Sequence, residues 1–309
     1  MPLYLTESDV GSLLTPADAV PLVEASFRRL AAGAVVSVPR ERLPTGAGSL
    51  SVMPAVDREL GYAGLKSYAV AEGGVTFAVL LFSIANGSLV AVVEADLLGR
   101  MRTGAASGVA ARHLAREGAS SLGVIGCGGQ AETQVAAIRA ALASIGSVLA
   151  WCRTPRSLAA FCRRVGAEPA EGPHEAAACD VVVTVTTSAD PVLRGDWLRP
   201  GALVCAVGAN RREARELDNE ALRRASFVCC DSLAQARRES GDLIEPVEAG
   251  VLDWLEVHEL QEVVAGELPG RQGAEDIVVF KSNGIAAWDL AVAAEVVRLA
   301  RERGVGRDV

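Results

Sequence analysis

The stretch GVIGCGGQA, Gly123–Ala131, decides how the rest of the chain is read. It follows an apolar run beginning at Ser121 and leads into a helical pattern from about Gly129 to Ser144. The spacing Gly126-x-Gly128-x-x-Ala131 matches G-x-G-x-x-G/A. In that pattern the first glycine permits a tight turn, the second lets the backbone approach a diphosphate, and the small third residue lets helix and strand pack closely. Gly129 and Gln130 open the helix, where free N–H groups and the helix dipole favour negative charge. Alone, the motif is an ordinary Gly-rich turn between a strand and a helix. Its neighbours turn it into a dinucleotide fingerprint.

Downstream, SVLAWC precedes a helix starting near Pro155, and DVVVTVT, ALVCAVG, ASFVCCD and DIVVF follow. These short, continuously apolar runs are what parallel strands covered on both faces require. Residues 117–285 therefore read as a Rossmann-type, doubly wound α/β domain, with Val207 at the end of ALVCAVG as a further cofactor contact. An NAD-binding unit usually ends its second strand in a carboxylate about 20 residues past the fingerprint. Here the strand runs out as Ala150-Trp151-Cys152-Arg153-Thr154-Pro155-Arg156. Arg153 and Arg156 suit a 2′-phosphate, and Thr154 adds a donor. The expected cofactor is NADP(H) in preference to NAD(H).

Upstream the period changes. After Thr15-Pro16, a cap followed by proline at the first turn, the pattern is helical. Over 35–94 the runs VVSVP, SLSVMP, YAGLKSYA, VTFAVLLFSI and SLVAVV alternate with turns too short for crossover helices. That is a mostly antiparallel sheet, with Asn86-Gly87 as a hairpin turn. Helical pattern returns from Asp96 to Ala115, and a last apolar-striped helix covers about Gly284–Arg303. The expected second domain is an N-terminal α+β dimerisation and substrate domain, residues 1–116 with 286–309.

Composition fits a folded protein of two domains: 309 residues, 50% hydrophobic and 22% charged, with 30 basic and 38 acidic side chains giving a net charge of −8. An acidic chain without a basic stripe argues against nucleic acid as a partner. The opening MPLYLTESDV lacks the basic and apolar regions of a signal peptide, and no apolar run reads as a membrane helix, so a cytoplasmic location is expected. Seven cysteines without a C-x-x-C pair read as reduced, buried thiols. The three histidines stand far apart, so no metal site is expected. Only two of the 30 basic residues are lysines, Lys66 and Lys281.

Val38-Pro39-Arg40, Gly64-Leu65-Lys66, MRTGAASGVAARHLA from Met101, GVIGCGGQA, PVLRGDWLRPGALVCAVGAN ending at Asn210, Glu216-Leu217-Asp218 and VFKSNGIAAWDLAVA from Val279 together resemble the ornithine cyclodeaminase/μ-crystallin family. The resemblance covers nearly the whole chain. It implies a homodimer built through paired N-terminal sheets, a last helix returning to the first domain, and an active site between the domains. Arg40, Lys66 and Arg102 match the family's substrate-binding positions. Two arginines can grip an α-carboxylate, and a desolvated Lys66 beside them can exchange a proton near neutrality. Arg102 and Thr103 can also serve the cofactor. Lys281, and Asp289 at the start of the last helix, are further candidates.

The departures narrow the activity. Dehydrogenase and cyclodeaminase members carry Asp where this chain has Asn210, and an amide cannot take and return protons. True cyclodeaminases place an acid near Ser51, which offers no charge. The resemblance is therefore closest to ketimine and pyrroline-2-carboxylate reductases. The expected reaction is NAD(P)H-dependent reduction of a small cyclic imino acid, with Lys66 and Asn210 as the catalytic pair. The alternatives are ornithine cyclodeamination with recycled NAD⁺, alanine or other L-amino-acid dehydrogenation, and a cofactor-binding protein with little turnover.

Overall fold

The computed structural model describes all residues, Met1–Val309. The chain opens with β1 (Leu3–Leu5), α1 (Glu7–Leu13) and α2 (Pro16–Ala31). Six strands follow: β2 (Val35–Ser37), β3 (Glu41–Pro44), β4 (Ser49–Asp57), β5 (Tyr62–Ala71), β6 (Gly74–Ser83) and β7 (Leu89–Glu94), and then helix α3 (Asp96–Leu114). The α/β succession comes next: β8 (Ser121–Ile125), α4 (Gly129–Ala141), β9 (Ser147–Trp151), α5 (Pro155–Val165), β10 (Glu168–Pro169), α6 (Pro173–Ala177), β11 (Val181–Thr184) and β12 (Leu203–Ala206). It continues with α7 (Asn219–Arg223), β13 (Ala225–Cys230), α8 (Leu233–Glu239), α9 (Gly241–Glu248), β14 (Val257–Glu259), α10 (Leu260–Val264) and β15 (Ile277–Lys281). Helix α11 (Ala286–Arg303) and β16 (Arg307–Asp308) end the chain.

Two compact units result: Met1–Arg102 with Ile285–Val309, and Thr103–Gly284. The first division falls inside α3, earlier than the 116/117 boundary read from periodicity, because the later part of α3 belongs to the second core. A methyl on Gly104 would meet the Thr133 carbonyl oxygen at 2.4 Å, and Arg271 Nε donates to the Leu114 carbonyl at 2.7 Å. Small residues allow such burial, and Met101–Ala111 are buried without a break.

In the first unit, β7, β6, β5 and β4 form a continuous antiparallel meander, with β2 and β3 both pairing along the outer edge of β4. The β6–β7 turn is the expected Asn-Gly one, with Gly87 at φ 71° and the Ser88 N–H bonded to Asn86 Oδ1 at 3.0 Å. The sheet departs from pure antiparallel order at its other edge, where β1 runs parallel to β7 and β16 pairs back on β1. Helix α11 lies against β4, β5 and β6 and against α2. It is buried nearly all round, and Trp288 meets Phe27 edge-on at 5.1 Å between centroids. Helix α1 is too short for its period to show, but a reciprocal Thr6/Asp9 capping box starts it.

The second unit is an all-parallel sheet in the order β10-β9-β8-β11-β12-β15-β13-β14. The order reverses between β8 and β11. Ligands of open α/β sheets bind at such a switch point, outside the carboxyl ends of the strands. Strands β8, β11, β12 and β15 are almost wholly buried, as their unbroken apolar sequences require. All seven cysteines are free thiols, but Cys127 and Cys152 are only half-buried, contrary to the uniform burial expected. Cys152 directly follows β9 and Cys127 lies two residues past β8, in the segments that leave the carboxyl ends of those strands.

Candidate functional site

Each unit carries one set of candidate residues. In the first, strand register does the gathering. Ser51 and Met53 on β4 stand opposite Tyr68 and Lys66 on β5, and Phe77 and Val79 on β6 stand opposite the same two. Directly opposed residues point to one face, so Ser51, Lys66, Tyr68 and Phe77 share it. Arg40, between β2 and β3, is buried with its Nε 3.3 Å from Met53 Sδ and its guanidinium 5.9 Å from the Tyr68 ring centre. Arg102 approaches from α3 and lies 5.9 Å from the Trp288 ring.

Asp289 ties these cations together. One of its oxygens, Oδ1, accepts from Lys66 Nζ at 2.9 Å and from Arg102 Nε at 3.1 Å. The carboxylate sits in the first turn of α11, where the helix dipole favours it. Its partners lie 223 and 187 residues away, so the carboxylate does more than cap its own helix. Because Nε of Arg102 faces Asp289, the two terminal nitrogens of that guanidinium are left for another anion. Asp289 Oδ2, Ser51 Oγ and Trp288 Nε1 are buried and have no hydrogen-bond partner. Unpaired buried polar atoms are costly, and three around one cationic cluster mark a place for a polar ligand.

Burial pushes the Lys66 ammonium down to about 8, Asp289 works against that, and Arg102 and Arg40 add to it. The proton is then exchangeable near neutral pH. One contributor gave no signal in the sequence. A methyl on Gly99, in α3, would stand 2.6 Å from Lys66 Nζ, so the absence of a side chain there makes room for the ammonium.

In the second unit, Gly126 ends β8 at φ 116°, and a methyl on it would meet the Val185 carbonyl oxygen at 2.4 Å. Gly128 caps α4 in an extended conformation, without a side-chain cap. No atom lies within 4 Å of where its Cβ would be. Gly128, Gly129 and Gln130 are exposed, and Ala131 is fully buried. An open backbone at the start of a 13-residue helix fits a diphosphate. Arg153, Thr154 and Arg156 are exposed just beyond β9; no side-chain bond engages Thr154 as the cap of α5. Thr103 is buried in α3.

Val207 and Asn210 follow β12 on one loop. Lys281, by contrast, is fully buried at the end of β15. It bonds the Ala209 carbonyl at 2.5 Å and pairs with Asp242 at 2.9 Å, so it supports that loop from beneath and presents no free ammonium. No group of His, Cys, Asp and Glu side chains forms a metal cluster.

Known proteins match the chain over most or all of its length. The family model described as the ornithine cyclodeaminase/mu-crystallin family matches residues 2–304. A Δ1-pyrroline-2-carboxylate reductase of Bacillus cereus is 35% identical, over 84% of this chain and 83% of its own. The structure of Thermococcus litoralis Δ1-pyrroline-2-carboxylate reductase in complex with NADH and L-proline superposes with a TM-score of 0.94 at 31% identity, covering 99% of this chain and 100% of that one. An archaeal alanine dehydrogenase dimer with bound NAD gives 0.93 at 36% identity, covering 100% and 98%.

Proposed function

We propose that this chain, which belongs to the ornithine cyclodeaminase/mu-crystallin family, reduces the C=N bond of a small cyclic α-imino acid to give a cyclic α-amino acid such as proline or pipecolate. It is an NAD(P)-dependent oxidoreductase of that family. The observation that carries the reading is the Lys66–Asp289–Arg102 cluster: a buried ammonium near its titration point, held by a carboxylate that also aligns a guanidinium.

The nicotinamide supplies the hydride. Arg40 and the terminal nitrogens of Arg102 hold the substrate carboxylate, fixing the ring before charge moves. Lys66 gives its proton to the imine nitrogen, so hydride on carbon and proton on nitrogen complete the amine. Asn210 accepts and donates hydrogen bonds but does not ionise, which leaves the proton to Lys66. Ser51, with its hydroxyl unpaired, has no charge to hold a second amine, which separates this chain from a diamine cyclodeaminase. NADPH is preferred through Arg153, Arg156 and Thr154.

The test is loss of absorbance at 340 nm with NADPH or NADH and Δ1-pyrroline-2-carboxylate or Δ1-piperideine-2-carboxylate. Turnover with either imine supports the reading. Its absence, with NAD⁺ reduction by L-alanine or ammonia release from L-ornithine instead, moves the chain to another branch of the family. The pH dependence follows from Lys66. Its charged form is the proton donor, so kcat/KM for reduction is level below pH 8 and falls about tenfold per unit above it. A rate that rises through pH 8 would rule out Lys66 as the acid.

A second copy of the chain is the proposed partner. On the face of the sheet turned away from α11, Val36, Val38, Pro54, Val56, Ala63, Leu65 and Phe82 line an apolar depression. Val36 and Val38 keep 46% and 42% of their surface exposed, and apolar patches of this kind mark interfaces. Light scattering should give twice the 32.0 kDa chain mass. Val56→Glu should shift it to monomer, and a monomeric parent protein would exclude the interface. The proposed compartment is the cytoplasm, where seven free thiols stay reduced; no helix is long and apolar enough to cross a membrane.

A further inference from the structure

Glu216 belongs to a segment, Glu216-Leu217-Asp218, to which the reaction above gives no work. Its side chain is completely buried, yet it lies beyond the carboxyl ends of β11 and β12 on the far side of the switch point from β9. Oε1 accepts from the Thr186 N–H at 2.6 Å. Oε2 accepts from Thr184 Oγ1 at 3.0 Å, from the Gly208 N–H at 2.7 Å and from the Ala209 N–H at 3.3 Å. Three of the four partners are backbone N–H groups, which can only donate, and between them they reach both oxygens, so neither edge of the side chain has room for an amide N–H.

A second layer fixes the first. Asp242 Oδ1 accepts the backbone N–H of Glu216 at 2.6 Å and of Leu217 at 2.9 Å. Its other oxygen pairs with Lys281, which holds the Ala209 carbonyl. The Ala209 residue is thus gripped at its N–H by Glu216 and at its C=O by Lys281, and Asn210 is next in the chain. Gly208 closes the arrangement: a methyl there would meet Thr186 N and O at 2.4 Å and Glu216 Oε1 at 2.5 Å. One carboxylate therefore joins the loop after β11 to the loop after β12.

In a doubly wound sheet the two mononucleotide halves take the two ends of a dinucleotide. The diphosphate turn stands at β8, and β9 with Arg153 and Arg156 takes the adenosine half. The loops after β11 and β12 face the nicotinamide half. We infer that Glu216, backed by Asp242 and Lys281, is a positioning residue that sets these two loops as the seat of the nicotinamide without touching it. The inference rests on the reading of Gly126–Ala131 as a dinucleotide site.

The test compares affinity for the reduced cofactor with affinity for the matching ADP-ribose fragment, which lacks nicotinamide, by titrating tryptophan fluorescence. In Glu216→Gln an amide N–H must face a backbone N–H on one edge or the other. Fragment affinity should stay within twofold of the parent protein, while the extra affinity conferred by nicotinamide falls about tenfold. With the deuterated reduced cofactor, the isotope effect on imine reduction should grow. Thr184→Val removes one donor without stranding a buried charge, and it should reduce the nicotinamide share about threefold. If Glu216→Gln fails to fold, this milder variant decides. Unchanged affinity ratios in the folded variants overturn the inference and leave the dinucleotide reading intact. A parent protein that binds neither cofactor nor fragment overturns both.

Discussion

Lys66→Met lowers kcat for imine reduction by ~10²–10⁴-fold, the range that a positioned proton donor contributes, while cofactor affinity stays as it was. Methionine nearly fills the volume of the buried lysine stem, so packing on Met53 and Val79 is kept. What disappears is the proton and one of the two cations on Asp289 Oδ1. The companion variant Asp289→Asn separates proton donation from simple charge. Asp289 is what raises the Lys66 value against burial, so without it the ammonium loses its proton at lower pH. The alkaline fall in kcat/KM, set at about pH 8 in the parent protein, should therefore move to lower pH. Rate profiles over roughly pH 5–10 check both variants. An unmoved limb in Asp289→Asn, or a Lys66→Met protein within a few-fold of the parent, would remove Lys66 from the chemistry.

The other large effect concerns cofactor choice. Arg153→Ser combined with Arg156→Ser should raise KM for NADPH by roughly 10–100-fold, about 1.4–2.8 kcal/mol, which is what one charge-assisted hydrogen bond contributes and is fitting for two solvent-exposed arginines sharing one phosphate. NADH, which has no 2′-phosphate, should change by less than about twofold on the same argument. Both side chains are exposed beyond the end of β9, so their loss leaves the sheet undisturbed. Steady-state kinetics with the two cofactors give the answer. Equal losses with NADPH and NADH would show that the arginines act on the phosphates common to both.

The strands of the second unit were legible because coverage on both faces demands unbroken apolar sequence; VVVT in β11 and LVCA in β12 state this directly. The fingerprint was legible for a local reason too, since Gly126 and Gly128 answer to backbone geometry within one turn. Edge strands β10 and β14, two and three residues long, follow from their neighbours and leave no period to detect. The cationic residues Arg40, Lys66 and Arg102 were found through the resemblance. Asp289 as the counter-ion shared by Lys66 and Arg102 was not, because that relation exists only after folding. Gly99 was silent, since it matters through empty space beside an ammonium, and Glu216 stood only among the marks of the resemblance, since its donors are drawn from two distant loops. The break between the units fell inside α3, where small residues give no change of composition to read.

The first unit is assembled from both ends of the chain, and the second is continuous within it. Synthesis on the ribosome therefore delivers the second unit complete, ready to fold as a unit, while the earlier-made sheet still waits for α11. Until residue 289 emerges, Lys66 has no carboxylate and the inner face of β4, β5 and β6 has no covering helix. The unit that starts earlier along the sequence is thus the one completed later, when α11 closes its core and brings a carboxylate to Lys66.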